Sequence, residues 1–450
     1  MRIHATKPLF AWDCLDDSPS LQTIRELLAL IPDAALLSAL NDARGKGRDD
    51  YPVRVLWGAV LLTIILRHPS SEACLAELRR NVGLRKLIGI EHEERVPKKW
   101  NISRFLDVLG AEPFLTLLKA AFDQLIQHLG QAVPNLGQNV AGDATCLNAR
   151  HKNEKGVKKE ERDTGLPQPS GGRKEYPDEQ GKITEVLEWF GYKPHLIVDV
   201  KHEVALSYQV TAPSAGDGET LPQILQQAQA NLSEERSKTL AYDKAADDNN
   251  VHSLLHQQKI KPLIEMRSLW KEEPERLLPG ATGRTNIIHD EAGTVYCYDK
   301  VSDPPVRHKM SFLGHEAERG TLKYRCPACH EGFKCPSAER CNAGKPYGMT
   351  VRVKKEIDLR RFPPIPRATK EFERLYKGRT AVERVNARLK IFWGADDGNL
   401  TGARRFHAFV GTVMLVHSAF ATALARAPRW EGTLSQMKLG PIQKALAMQT

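Results

Sequence analysis

The stretch from Tyr376 to Lys390, YKGRTAVERVNARLK, gathers residue types that suit a phosphodiester. At 3.6 residues per turn, Tyr376, Arg379, Glu383 and Lys390 fall on one helix face, and Val382, Val385, Leu389 and Phe392 on the other. The second set is the stripe of a helix that packs against a core. The first presents a carboxylate flanked by an arginine, a lysine and a phenol. Such a group is either a surface ion pair or a place where cations hold phosphate beside a carboxylate. Gly378 works against an unbroken helix, by about 1 kcal/mol relative to Ala.

The spacing Tyr-x2-Arg-x3-Glu-x6-Lys resembles the signature around the third acidic residue of the DDE transposases of bacterial insertion sequences, with all its residues in place. The resemblance implies two upstream aspartates, each at the end or edge of a strand in an RNase H-like core. Asp143, in GQNVAGDATCLNAR, and Asp243, directly after the apolar TLAY, fit that demand. Asp143 also reads as a turn residue after Ala-Gly, and Asp247 or Asp248 can stand in for Asp243. Asp243 is preferred because the other two suit the start of the next helix. The family often carries glycine and tyrosine soon after this aspartate, where this chain has Ala245 and Ala246.

Three carboxylates cannot all stay ionised at close range without cations. Hard divalent ions with oxygen ligands meet that need. The resemblance implies two Mg²⁺ or Mn²⁺ ions, roughly 3.5–4 Å apart, held by Asp143, Asp243 and Glu383. These would serve hydrolysis at a transposon end, then attack of the freed 3′-OH on target DNA. It further implies that Tyr376, Arg379 and Lys390 hold DNA phosphates beside the metals. The partners would be double-stranded terminal inverted repeats and target DNA, with the chain dimeric once assembled on them. The implied location is the cytoplasm, on the nucleoid when DNA-bound. Two alternatives stay open: a nuclease on the same core that joins no ends, and a catalytically inactive DNA-binding regulator descended from a transposase. The three acids and the signature cations speak against the regulator.

A second constellation is Cys326-x2-Cys329-x5-Cys335-x5-Cys341, with His330 and Cys297 nearby. Four thiolates can complete a tetrahedral Zn²⁺ shell, although one C-x2-C pair is less specific than two. Free thiols are a second reading, and another metal or a disulfide a third.

Acids this far apart in sequence need a fold to bring them together. Residues 1–130 read as helices forming an N-terminal, DNA-binding block. Leu21, Ile24, Leu27, Leu28 and Ile31 give one amphipathic segment, and 55–66 a more deeply buried one. SEACLAELRR follows behind a Ser70 or Ser71 cap. Asn101 or Ser103 then starts a helix that ends at Gly110. Leu115, Leu118, Phe122, Leu125 and Leu129 form a stripe closed by Gly130. Arg79, Arg80, Arg85, Lys86, Lys98, Lys99 and Arg104 make this block a candidate DNA surface.

Residues 131–270 read as the first part of the catalytic domain. A strand carries Asp143, and 151–182 is a charged, mobile loop. GYKPHLIVDV and EVALSYQVTA form a hairpin, and Thr220 caps a helix with Pro222 in its first turn. Strand, helix and strand follow. This is an α/β order that fits an RNase H-like mixed sheet with flanking helices. Residues 271–367 read as a small inserted subdomain with the cysteines, 368–427 as the second part of the core, and 428–450 as a tail without a clear reading.

Over 450 residues, 65 Lys and Arg against 55 Asp and Glu leave a net charge of +10 and a pI near 9.1. That balance favours an anionic partner, most simply nucleic acid. The N-terminus shows no signal-peptide pattern. Residues 406–425 are long enough to span a bilayer, but His407, Thr412, His417 and Ser418 interrupt the run, so a buried helix and no membrane are expected.

Overall fold

In the computed structural model the described residues are 19–45, 51–150, 164–178, 182–232, 236–267, 269–270, 274–280, 284–397, 400–426 and 432–447. The central sheet is built from β1 (Asn139–Ala144), β2 (Leu147–Asn148), β3 (Ser170–Pro177), β4 (Ile183–Asp199), β5 (Ala205–Thr211), β6 (Thr239–Tyr242) and β7 (Lys261–Ile264). Its path is β2-β4-β1-β6-β7, with β3 and β5 also paired to β4. β4 runs antiparallel to both β5 and β1, and β1, β6 and β7 are parallel. This is the RNase H-like arrangement, and the expected hairpin is β4–β5.

Burial on both faces explains why the inner strands read as nearly unbroken apolar runs. Leu196, Ile197, Val198, Val140, Ala141 and Leu240 are all buried. One face is covered by the helix Asp217–Leu232, where the Ser207 hydroxyl donates to Ile224 O at 2.6 Å. On the other face Tyr192 stacks on Phe406, with ring centroids 4.1 Å apart, and Tyr208 meets Phe122 edge-on at 5.0 Å. Phe406 belongs to the long helix Ala403–Ala425, the apolar run noted in the sequence. Its apolar window is 89% buried inside the fold.

The helical segment contains Pro19–Ala29, Ala34–Arg44, Val53–Ile65, Ser71–Arg80, Val82–Leu87, Lys99–Leu109 and Phe114–Ala132. Its apolar residues share one continuous core with the sheet. Ser70 is the cap, accepting from Ala73 N–H. The last helix runs through Gly130, two residues past the expected stop. Arg85 drops out of the cations expected on a DNA surface, because it is buried and donates to Arg79 O at 2.8 Å. Lys99 pairs with Glu72, and Arg80 with Glu77.

Two expectations for the core need correction. Residues 170–177 are not loop but strand β3, paired along the exposed half of the 17-residue β4. Their polar composition hid a ribbon whose hydrogen bonds come from a partner strand. Trp189 lies where a Cβ on Gly172 would stand, 2.4 Å away, so only glycine fits beneath that ring. Residues 151–163 and 179–181 lie outside the described ones. Thr220 is not a cap either: its helix begins at Asp217, its hydroxyl donates back to Gly216 O, and Pro222 sits inside the helix. The tail contributes a helix, Leu439–Ala447, with Ile442 buried.

The insertion has a core of its own, centred on Ile287, Val295, Leu322, Val353 and Phe362. One sheet has the order β11-β10-β9-β8, from β8 (Glu275–Leu277), β9 (Ile287–Asp290), β10 (Val295–Asp299) and β11 (Val306–Lys309). The other has the order β12-β13-β14, from β12 (Ser311–Glu316), β13 (Thr321–Arg325) and β14 (Thr350–Lys354). It is tied to the main core through Asp247. That buried carboxylate accepts from Arg360 at 2.7 and 2.9 Å and from Arg267 N–H at 2.7 Å, and meets His252 Nε2 at 3.0 Å. Burial alone would raise its pKa, but the hydrogen bonds from His252 and Arg360 hold it well below the carboxylate range.

Asp247→Ala should therefore destabilise the chain by about 3–5 kcal/mol, because it strands buried arginine charge. Asp248→Ala, at an exposed helix cap, should cost about 0.5–2 kcal/mol. Denaturant melts of the two variants check the difference.

Burial also pushes His195 and His407 down to about 4, and His417 well below its usual value. Folded, these rings stay neutral; unfolded, they take up protons below about 6.5. The unfolded state then binds more protons, so stability should fall as pH drops from about 6.5 toward 4. A melting temperature that rises on acidification through that window would contradict neutral buried imidazoles.

Candidate active site

Parallel register does the first part of the assembly. β1 and β6 pair Ala141 with Ala241. Two residues further along each chain stand Asp143 and Asp243, side by side at the carboxyl ends of neighbouring strands, about 4.8 Å being the strand spacing. Carboxyl strand ends are where open α/β sheets place ligands. The close approach needs a glycine before Asp143: a Cβ on Gly142 would lie 2.4 Å from the Tyr242 ring. Asp243 is half-buried and accepts from Ala245 N–H at 2.9 Å, which fixes its loop. Asp247 is locked among arginines and Asp248 caps the helix Asn249–Gln257, so both rivals of Asp243 are otherwise engaged.

The third carboxylate arrives on a helix. Lys370–Tyr376 is α-helical behind a Thr369 cap, Lys377–Arg379 tightens to 3₁₀, Thr380–Ala387 is α-helical again, and Arg388–Phe392 is a π-turn. Gly378 therefore does not break the helix. A Cβ there would stand 2.8 Å from Val200, so glycine lets the helix approach the end of β4. Val382, Val385 and Leu389 are buried as their spacing predicts, and Glu383 is exposed.

Arg379 links the acids. Its guanidinium bonds Glu383 at 2.7 Å. Burial works against its charge, yet Glu383, the Tyr376 phenol, Asp143 and Asp243 hold its pKa above the ordinary value. Tyr242 independently feels both aspartates: burial first, then Asp217, Asp143 and Asp243 push its phenol well up. The structure thus brings Asp143, Asp243, Glu383, Arg379 and Tyr376 together. Lys390 stands slightly apart, since the π-turn carries its Nζ to 3.5 Å from both Cys146 Sγ and Asp396 Oδ2.

One further residue belongs to this edge. β6 and β7 pair Tyr242 with Ile264, so Glu265 follows in step with Asp243. Its carboxylate stands near the Tyr376 phenol, which burial first and this charge next push up to about 12. The signal was present in KPLIE, an apolar strand followed by an acid, like TLAYD.

Chemically this is an all-oxygen cluster, partly open to solvent, with one guanidinium among the acids. The donor set suits hard divalent ions and leaves room for phosphate oxygens. The four cysteines of the expected tetrad lie near one another in the insertion, with Cys326 and Cys335 acting on the Cys329 thiol and Cys326, Cys335 and Cys341 on that of Cys297. Asn342 Nδ2 donates to Cys329 Sγ at 3.1 Å and reaches Cys326 Sγ at 3.9 Å. Among the described residues, the group whose ligand atoms close within 4.8 Å of one another is Asp299, His308 and Cys335.

Residues 138–418 match the family model described as "Transposase DDE domain", and residues 13–107 match the one described as "Transposase domain (DUF772)". No curated protein matches. Among solved structures, one similar chain is the piggyBac transposase in a synaptic complex with hairpin DNA. It is 12% identical, with 96% of this chain and 81% of that chain covered and a TM-score of 0.36. No residue here takes a role from that likeness.

The two faces of the helix should separate on substitution. Val385→Asp buries an unpaired charge and should cost more than about 3 kcal/mol. Arg379→Ala removes a partly solvated ion pair and should stay within about 1 kcal/mol. Thermal melts that reverse this order would mean that Glu383 points into the core.

Proposed function

The chain belongs to the DDE-domain transposases, whose family model spans more than half of it, and from that premise we propose that it cuts DNA at the ends of an insertion sequence and joins those ends to target DNA. Asp143, Asp243 and Glu383 are the catalytic carboxylates in this reading. What supports it is the juxtaposition of the three acids around Arg379, built from a parallel strand register and a helix docked on the same edge.

Two Mg²⁺ or Mn²⁺ ions bound by these carboxylates would activate an attacking oxygen and stabilise a leaving one. The chain's own residues do the rest. Asp143 and Asp243 stand on rigid strand ends, so their oxygens are oriented before DNA arrives. Arg379 exchanges part of its carboxylate pairing for a phosphate oxygen, for which its planar fork is suited. The Tyr376 hydroxyl and the Lys390 ammonium can reach phosphates flanking the cut. Neither Arg379 nor Lys390 ligates a cation, since a protonated side chain offers no lone pair.

The DNA is double-stranded, with terminal inverted repeats and a target as the two substrates, and a homodimer assembles on it. Cleavage without joining would mark a nuclease on the same core. Binding with neither step would mark an inactive regulator.

Asp143→Ala, Asp243→Ala and Glu383→Ala should each lower Mg²⁺-dependent cleavage of a repeat-end duplex by more than the roughly 10–100-fold that losing an outer-shell partner costs a metal site. DNA binding should persist. Arg379→Ala should instead flatten the log–log salt dependence of end binding by about 0.9. Full cleavage by any of the three acid variants removes that residue from the site.

A further inference from the structure

The inserted subdomain holds a buried negative charge that has no cationic partner among the described residues. Asp299 closes β10 and is 2% exposed. It accepts from Val301 N–H at 3.0 Å, from the Ser302 hydroxyl at 2.6 Å and from the Ser337 hydroxyl. Every one of these contacts is donated to it, so the carboxylate stands as an acceptor only. Buried charges are normally paired or coordinate metals. No lysine or arginine among the described residues pairs with this one.

Two further donors converge on it. His308 lies on β11, directly opposite Cys297 in the β10–β11 ladder, and Cys297 and Asp299 share one face of β10. The His308 ring lies tilted at 37° against Phe333, at 5.0 Å between ring centroids, and neither ring nitrogen has a hydrogen-bond partner among the described residues. Cys335 is a free thiol on the turn before Ser337. One ligand atom from each of Asp299, His308 and Cys335 lies within 4.8 Å of the others.

We propose that Asp299, His308 and Cys335 bind a zinc ion that pins the β10–β11 hairpin to the cysteine-bearing turn after β13. Sulfur, imidazole and carboxylate together exclude Mg²⁺ and Ca²⁺, which take oxygen alone, and match borderline Zn²⁺. Zinc–ligand bonds of about 2.0–2.3 Å place tetrahedral donors roughly 3.3–3.8 Å apart, so the group needs to contract by about 1 Å. Water fills the fourth corner. Ser302, Ser337 and the Val301 amide are the outer shell that orients the carboxylate. On binding, Cys335 gives up its thiol proton to solvent, and the thiolate, imidazole and carboxylate lone pairs bind the ion. The ion supplies the missing positive charge. It also joins the two small sheets of a subdomain whose own core is slight.

The site is independent of the transposase reading, and its test needs no DNA. Full-length reduced protein, loaded with Zn²⁺ and then freed of excess ion, should retain about one ion per chain. Asp299→Asn, His308→Ala and Cys335→Ser should each weaken Zn²⁺ binding by more than about 100-fold, beyond an outer-shell loss. Cys326→Ser, Cys329→Ser and Cys341→Ser should leave it within about tenfold. Should a variant fail to fold, Co²⁺ bound to the unaltered protein still decides: the thiolate-to-metal absorption should have the strength of one sulfur. No bound ion, an absorption of four sulfurs, or zinc lost on Cys326→Ser but kept on His308→Ala would each overturn the assignment.

Discussion

Asp143, Asp243 and Glu265 occupy consecutive places along the carboxyl ends of β1, β6 and β7. At a strand spacing of about 4.8 Å, carboxylates repel by roughly 1 kcal/mol in water and by more where solvent is excluded. A flexible loop would relieve that repulsion by moving. These residues cannot move far, because hydrogen-bonded ladders on apolar layers hold their strands and Ala141 and Leu240 are buried beneath them. Arg379 stands in the field of the acids and compensates part of it. The rest of the repulsion is the affinity with which the site can take up cations.

Holding Arg379 and Glu383 there requires the helix to come close to the sheet and stay. Gly378 permits the approach and the buried valines keep it. The π-turn then ends the helix against Trp393, whose ring meets His417 edge-on at 5.5 Å. His417, buried in the long helix, accepts the Ala205 N–H through Nε2 at 3.0 Å. One neutral imidazole thus joins the β5 backbone to the long helix packed beneath the candidate site.

The insertion interrupts the core between the second and third acids without displacing them. Its two ends return to the same place, where Arg360 and Arg367 meet Asp247 just after the Asp243 loop. A buried ion pair of this kind contributes little net stability against apolar packing, but it strongly disfavours any arrangement that separates its members. A long insertion can therefore sit beside the site while the loop carrying Asp243 keeps its place.

The helix that carries Glu383 was legible in the sequence because burial leaves a period of 3.6, and Val382, Val385 and Leu389 record it. TLAY before Asp243, the β4–β5 hairpin and the long helix from Ala403 were legible for the same local reason: apolar residues mark what faces a core. Several features depended on distant partners and left no local trace. Polar β3 is a strand only because β4 lies beside it. Arg85 looks like any surface cation until helix packing buries it. Asp243 and Asp247 differ in sequence only by context, and the arginines that claim Asp247 lie over a hundred residues away. Cysteine spacing suggested a tetrad but gave no sign that hairpin register also brings Asp299 and His308 to Cys335. Periodicity reports which side of an element is buried; register and charge pairing are settled only when elements meet.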